Sequence, residues 1–207
     1  PRRLMEFLTE HQLPLELAAL LRRAYGDVAL EVVRNNPYLL VNEEFQVEFS
    51  QADAIALSLG VGHEDPLRLE AGLIFELAHN NLNNGHTFLP RRKLVEATAT
   101  LLDAPAALLE ERLDALVARG EAELEPVAGQ EAVYLPALCE AERFIAQRVA
   151  EMSRAELLPP DGLDKLIAKI QREQRITYAP QQRQAVELAA RRQVALLTGG
   201  PGTGKTT

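Results

Sequence analysis

The chain has 207 residues, 47% hydrophobic and 25% charged, with a net charge of −8, which is ordinary globular composition. No apolar run approaches the ~18 residues needed to cross a bilayer, and no basic-then-apolar leader opens the sequence. The single cysteine, Cys139, excludes an internal disulfide, and His11, His63, His79 and His86 show no metal-ligand spacing, so a reducing cytoplasmic setting is expected. The charge is divided unevenly. Residues 161–207 carry eight basic and four acidic side chains, while residues 1–160 carry 14 and 26. A polyanion is therefore attracted to the last part and repelled, on average, by the first.

In chain order, residues 2–34 read as short helices. Leu4, Phe7 and Leu8 share a face, and Pro14 suits the first turn of a second helix with Leu17, Leu20 and Leu21 inward. Gly26 ends that helix and Asp27 is a candidate N-cap for a third, Val28 to Arg34. Pro37 forces Asn36 out of the α region and closes it. Ser50 is a candidate cap for a helix running to Leu59, stopped by Gly60. Residues 1–62 form the first expected division.

Residues 63–136 follow another plan. Helices are expected from Pro66 to about Asn83, from Pro90 to Leu102 and from Pro105 to Arg119, with Phe88 and Leu89 briefly extended. The alternation of Glu121 to Val127, the turn Ala128-Gly129-Gln130 and the run Ala132 to Leu135 predict a β-hairpin. Three helices and a hairpin make a winged-helix-like unit. The basic run Arg91-Arg92-Lys93 is expected to be a solvated helix end, and Glu121, Glu123 and Glu125 suit a DNA-contacting wing poorly. Residues 137–175 read as connecting helices around the linker Leu157 to Gly162.

Residues 176–207 carry the chemistry. A helix is expected from Pro180 to Arg191, then a short buried parallel strand, Val194 to Leu197. Gly199-Gly200-Pro201-Gly202-Thr203-Gly204-Lys205-Thr206 then matches G-x-x-x-x-G-K-[ST]. Glycines let the backbone curl against phosphates and aim N–H groups inward. Lys205 can reach the β- and γ-phosphates, and the Thr206 hydroxyl can ligate nucleotide-bound Mg²⁺. ATP and Mg²⁺ are the expected cofactors. Gly200, Gly202, Thr203, Gly204, Lys205, Thr206 and Thr207 are the candidate phosphate-site residues, with Lys205 and Thr206 as the catalytic pair. Gln182, in the first turn of the preceding helix, offers a donor and an acceptor that match adenine N7 and N6.

The string Tyr178-x-Pro180-x-Gln182-x-x-Ala185-Val186, followed by Leu196-Leu197-Thr198 and the glycine-rich loop, resembles the start of the first motor domain of RecD-like superfamily 1 DNA helicases. Tyr25-Gly26-Asp27, Asn36-Pro37-Tyr38, Gly85-His86-Thr87-Phe88-Leu89-Pro90 and Val133-Tyr134-Leu135-Pro136 resemble the region preceding the motor in the long, stand-alone members. The resemblance implies an ATP-dependent helicase moving 5′→3′ on single-stranded DNA, a mainly α accessory region beginning with a helix-hairpin-helix, and a P-loop α/β motor opening at the end of this sequence. It also implies that Gln182 reads adenine and that Lys205 and Thr206 serve phosphate and Mg²⁺. The chain thus reads as an internal segment of a longer protein, inactive as an ATPase alone, since no Walker B acid or arginine finger follows the loop. Where the family carries a glycine-rich G-[IV]-G-F hairpin, this sequence has Glu44-Phe45-Gln46-Val47-Glu48-Phe49. Two acids and no glycine predict a scaffold role, or a protein partner on the acidic N-terminal region, rather than DNA binding. The alternative is another P-loop ATPase with an attached winged-helix module of initiator or regulator type.

Overall fold

The computed structural model describes residues 2–205. The chain forms two compact units that divide between Cys139 and Glu140.

The first unit opens with α1 Arg2–Glu10, α2 Leu17–Tyr25 and α3 Ala29–Asn35. Gly26, at φ +64, ends α2, a conformation that costs a glycine little. Asp27 does not cap α3 as expected. It lies inside a 3₁₀ turn, Gly26–Val28, and its side chain makes no capping hydrogen bond. The caps lie elsewhere. Asn36 Oδ1 accepts from Tyr38 N at 3.1 Å, starting the 3₁₀ turn Pro37–Leu40. The next helix, α4 Phe49–Ser58, has its N-cap position at Glu48 rather than Ser50, because Phe49 already packs inward at 5% exposure and draws the first turn with it.

Next come α5 Pro66–Asn84, β1 Phe88–Pro90, α6 Arg91–Leu102, α7 Ala106–Ala118, β2 Glu123–Val127 and β3 Gln130–Tyr134. Asp65 caps α5 by accepting from Leu67 N at 2.8 Å, and left-handed Gly85 closes it, the usual punctuation of a helix. The strands form one antiparallel sheet in the order β1-β3-β2, with Leu89 opposite Val133 and Leu124 opposite Val133 on the other side. Gly72 sets how closely α5 and α6 cross, since a Cβ there would meet Leu102 Cδ1 at 2.7 Å and Thr98 Cγ2 at 3.1 Å.

One hydrophobic cluster runs through this unit, from Leu8, Leu21 and Val33 to Leu69, Leu73, Leu94 and Leu113. It spans the expected division at 62/63. So does a buried polar bridge. Arg68 donates to both Asp53 carboxylate oxygens at 2.9 Å and to the His63 and Leu102 carbonyls, while the Tyr38 hydroxyl donates to Asp53 Oδ1 at 2.7 Å. Arg68 is 4% exposed, and among the described residues no buried side-chain nitrogen or oxygen lacks a partner. Such a bridge is tolerated in a core because each guanidinium nitrogen and each Asp53 oxygen has a hydrogen-bond partner. Burial, reinforced by the hydrogen bond to Asp53, pushes the Tyr38 hydroxyl well above the usual phenol range.

The dividing point falls within α8 Pro136–Arg154. The second unit continues with α9 Leu163–Gln174 and α10 Pro180–Arg191, the latter at the bounds the sequence predicts. Arg183 on α10 joins Asp164 of α9 at 2.6 Å and Glu187 at 2.9 Å. Tyr178 N donates to Gln171 Oε1 at 2.7 Å, tying the α9–α10 connection to α9. The expected strand Val194–Leu197 is not formed. Arg192 makes an isolated antiparallel bridge to Glu156, residues 194–200 are irregular, and Leu196 is 86% exposed. A parallel strand needs flanking strands for its N–H and C=O groups and helices over both faces. None of the described residues supplies them to this run.

Candidate functional site

The glycine-rich loop follows α10 closely in space. Gln182 Nε2 donates to the Thr203 carbonyl at 3.2 Å, while its Oε1 accepts from Ala179 N at 2.9 Å. One carboxamide therefore caps α10 and holds the loop to the first turn of that helix, using both halves of the donor–acceptor pair. Within the loop, Thr203 Oγ1 donates to the Gly200 carbonyl at 2.8 Å. The Lys205 ammonium donates to the Gly199 carbonyl at 2.6 Å and to that of Gly200. Gly202 and Gly204 adopt φ +77 and +74, the left-handed region that other residues avoid. At Gly199 a Cβ would come within 2.9 Å of Thr203 Oγ1.

These residues fit a nucleotide phosphate. The Lys205 ammonium, on a long flexible stem, rests on carbonyl oxygens that a phosphate oxygen can replace, and left-handed glycines suit a curled anion-binding loop. The loop is exposed, so a ligand can reach it. The structure brings together Gln182, Gly200, Thr203 and Lys205. Thr206 and Thr207 lie outside the described residues.

The expected helix-hairpin-helix turn has a different character. Asn42 Oδ1 accepts from Glu44 N at 2.9 Å and from Phe45 N at 2.8 Å, and the Asn42 carbonyl accepts from Gln46 N at 2.8 Å. Three consecutive N–H groups that could face an anion are thus taken by one asparagine. Gln46 holds φ +55 where glycine would sit more easily. Sequence reasoning noted the missing glycines but not Asn42, whose signal was its place two residues before Glu44, the spacing of an Asx turn.

The run Arg91-Arg92-Lys93 is only partly the solvated end expected. The Arg91 side chain is 18% exposed and donates to Glu110 and Asp114 of α7 at 2.7 Å. Burial alone would lower its pKa, but hydrogen bonds to Asp114 and Glu110 outweigh that and raise it. Arg91 is a cross-link from α6 to α7. Arg92 pairs with Glu96 at the surface. On β2, Glu123 and Glu125 project beside Cys139 with ligand atoms within 4.8 Å, but none of the three is free.

Residues 1–88 match the family model described as the ATP-dependent RecD2 DNA helicase HHH domain. The whole chain aligns at 26% identity with the ATP-dependent RecD2 DNA helicase of Deinococcus radiodurans. The chain is similar to the N-terminal region of RecD-like helicases. It spans 30% of the length of that relative. No helix among the described residues is long and apolar enough to cross a membrane. The helix-hairpin-helix expected at the N-terminus agrees with the matched family.

Proposed function

We propose that this chain is the accessory region and opening nucleotide loop of an ATP-dependent DNA helicase that moves 5′→3′ on single-stranded DNA. The observation that carries the reading is the Gln182–Thr203 hydrogen bond at 3.2 Å. It ties the only amide side chain that the RecD-like resemblance assigns to adenine onto the loop that it assigns to phosphate. In this reading Gln182 turns its carboxamide from the loop carbonyl to the adenine edge. Gly200, Gly202, Thr203 and Gly204 wrap the phosphates, and Lys205 exchanges carbonyl oxygens for phosphate oxygens. Thr206 holds Mg²⁺ and Thr207 continues the phosphate contacts. The bound Mg·ATP supplies the phosphoryl group whose hydrolysis drives movement. Residues 63–136 act as a winged-helix-like unit after the helix-hairpin-helix-like residues 1–62. Residues 137–175 connect them to the motor, which begins at 176. The strand 194–197 forms once neighbouring strands flank it.

The hairpin at 44–49 serves as a scaffold, because its N–H groups are already taken by Asn42 and Glu44 and Glu48 repel phosphate. Its acidic surface suits a protein partner. Lys205→Ala in the intact helicase tests the nucleotide reading: DNA-stimulated ATP hydrolysis and unwinding are expected to vanish while the melting temperature holds. Retained unwinding would refute the assignment. Gln182→Ala is expected to erode the preference for ATP over GTP, and the 207-residue chain alone to hydrolyse neither.

A further inference from the structure

Positions 1–62 contain nine acids and five basic residues, and all five are arginines: Arg2, Arg3, Arg22, Arg23 and Arg34. Four of them, Arg2, Arg3, Arg22 and Arg34, line a single cleft of about 640 Å³. The first turn of α1 brings Arg2 and Arg3, the last turns of α2 and α3 bring Arg22 and Arg34, and the 3₁₀ turn Gly26–Val28 shapes one wall. Leu4, Val28, Ala29 and Leu30 give the cleft an apolar lining, in which Val28 stays 55% exposed.

Two acids, Asp27 and Glu31, line the same cleft, so four guanidiniums face two carboxylates and an excess of positive charge remains. Arg22 reaches Asp27 only at 3.7 Å, with the Asp27 side chain 99% exposed. Arg2 pairs with Glu6 along its own helix, with 92% of the arginine side chain exposed. Exposed pairs of this kind contribute little. Arg3 and Arg34 form no ion pair among the described residues. Gathering exposed guanidiniums in one concavity costs repulsion unless an anion shares it, and a concavity focuses their field. The guanidinium fork matches phosphate oxygens in pairs. An apolar lining below such forks suits the sugar and base faces of an unpaired strand.

We infer that this arginine-lined cleft binds the phosphodiester backbone of single-stranded DNA. The contact is separate from the closed hairpin at 42–46 and from the nucleotide loop. It rests on the helicase reading for its choice of polyanion. The phosphate contacts fix register without reading sequence.

The test is fluorescence anisotropy of a labelled oligothymidylate with the 207-residue chain across a salt series. Arg22→Gln/Arg34→Gln is expected to weaken binding about tenfold and to flatten the logarithmic salt slope by about 1.4, near 0.7 per lost contact. Arg92→Gln/Lys93→Gln makes the same charge change on α6 and is expected to leave the slope alone. Arg22→Lys/Arg34→Lys is expected to keep the slope while losing part of the affinity, with an unchanged melting temperature confirming the fold. An unaltered slope in the Gln pair, or an equal loss in the α6 pair, overturns the cleft while leaving DNA binding by the chain intact. Failure of the wild-type chain to bind at low salt overturns the cleft and weakens the DNA reading with it. Competition by polyglutamate as strong as by unlabelled DNA at equal charge overturns the nucleic-acid assignment in favour of an acidic protein segment.

Discussion

Up to Cys139 the chain closes on a continuous core, with Leu8, Leu40, Leu73, Leu94 and Leu113 at 0% exposure. From Glu140 onward, Ile167 is the one buried apolar side chain among the described residues, and Leu166, Leu188 and Leu196 remain 47%, 44% and 86% exposed. Both units contain well-formed helices. The difference shows that local signals suffice to make a helix, whereas burial requires a second surface of matching shape. It also separates two kinds of polar residue. In the first unit Arg68 is locked inside the core against a partly buried Asp53. In the second, Gln182 and Lys205 make their hydrogen bonds at the surface.

Breaking the contrast should be easiest at its buried polar bridge. Arg68→Ala strips the partly buried Asp53 of its arginine partner and empties a buried site, and is expected to cost the first unit about 3–5 kcal/mol, read by urea unfolding. Leu113→Ala, at 0% exposure, is expected to cost about 2–5 kcal/mol in the same assay. The bridge also sets an alkaline limit. The Tyr38 pKa is raised above its ordinary 10.0 in the folded state, so its contribution is fully present below that pH and declines as pH rises further. Tyr38→Phe is expected to flatten the loss of stability above pH 10, seen as a smaller drop in melting temperature between neutral and alkaline buffer than in the wild type. At the hairpin, Gln46→Gly relieves a left-handed glutamine and is expected to stabilise by about 0.5–1 kcal/mol; destabilisation would mean that its contacts outweigh the strain. The smallest effect is expected in the second unit. Leu196→Asn, at 86% exposure, should fall within about 0.5 kcal/mol of wild type, and a larger loss would reveal a packed strand at 194–197.

Much of the fold was legible wherever a proline, glycine or asparagine marks an end. The bounds of α10 match the sequence reading, and α5, expected to run to about Asn83, ends at Asn84 with Gly85 as its left-handed cap. The hairpin of β2 and β3 was visible from alternation, and β1 from the extended Phe88-Leu89. Caps were less legible. Asp27 and Ser50 are good cap residues by type, yet the packing of Ala29 and Phe49 decided where α3 and α4 begin. Arg91 was misread as a solvated end because its partners lie 19 and 23 residues away on α7.

By itself, the sequence determined the periodicities, the breakers and the chemistry of the loop from Gly199 to Lys205, because each depends on residues a few positions apart. Tertiary structure alone decided that Arg68 joins Asp53 across 15 residues, that four arginines from three helices share a cleft, and that Gln182 reaches Thr203 across 21 residues. It also decided that Val194 to Leu197, strand-like in composition, stays unpaired here. Helix hydrogen bonds close within four residues, whereas strands, clefts and buried ion pairs take their partners from elsewhere in the chain.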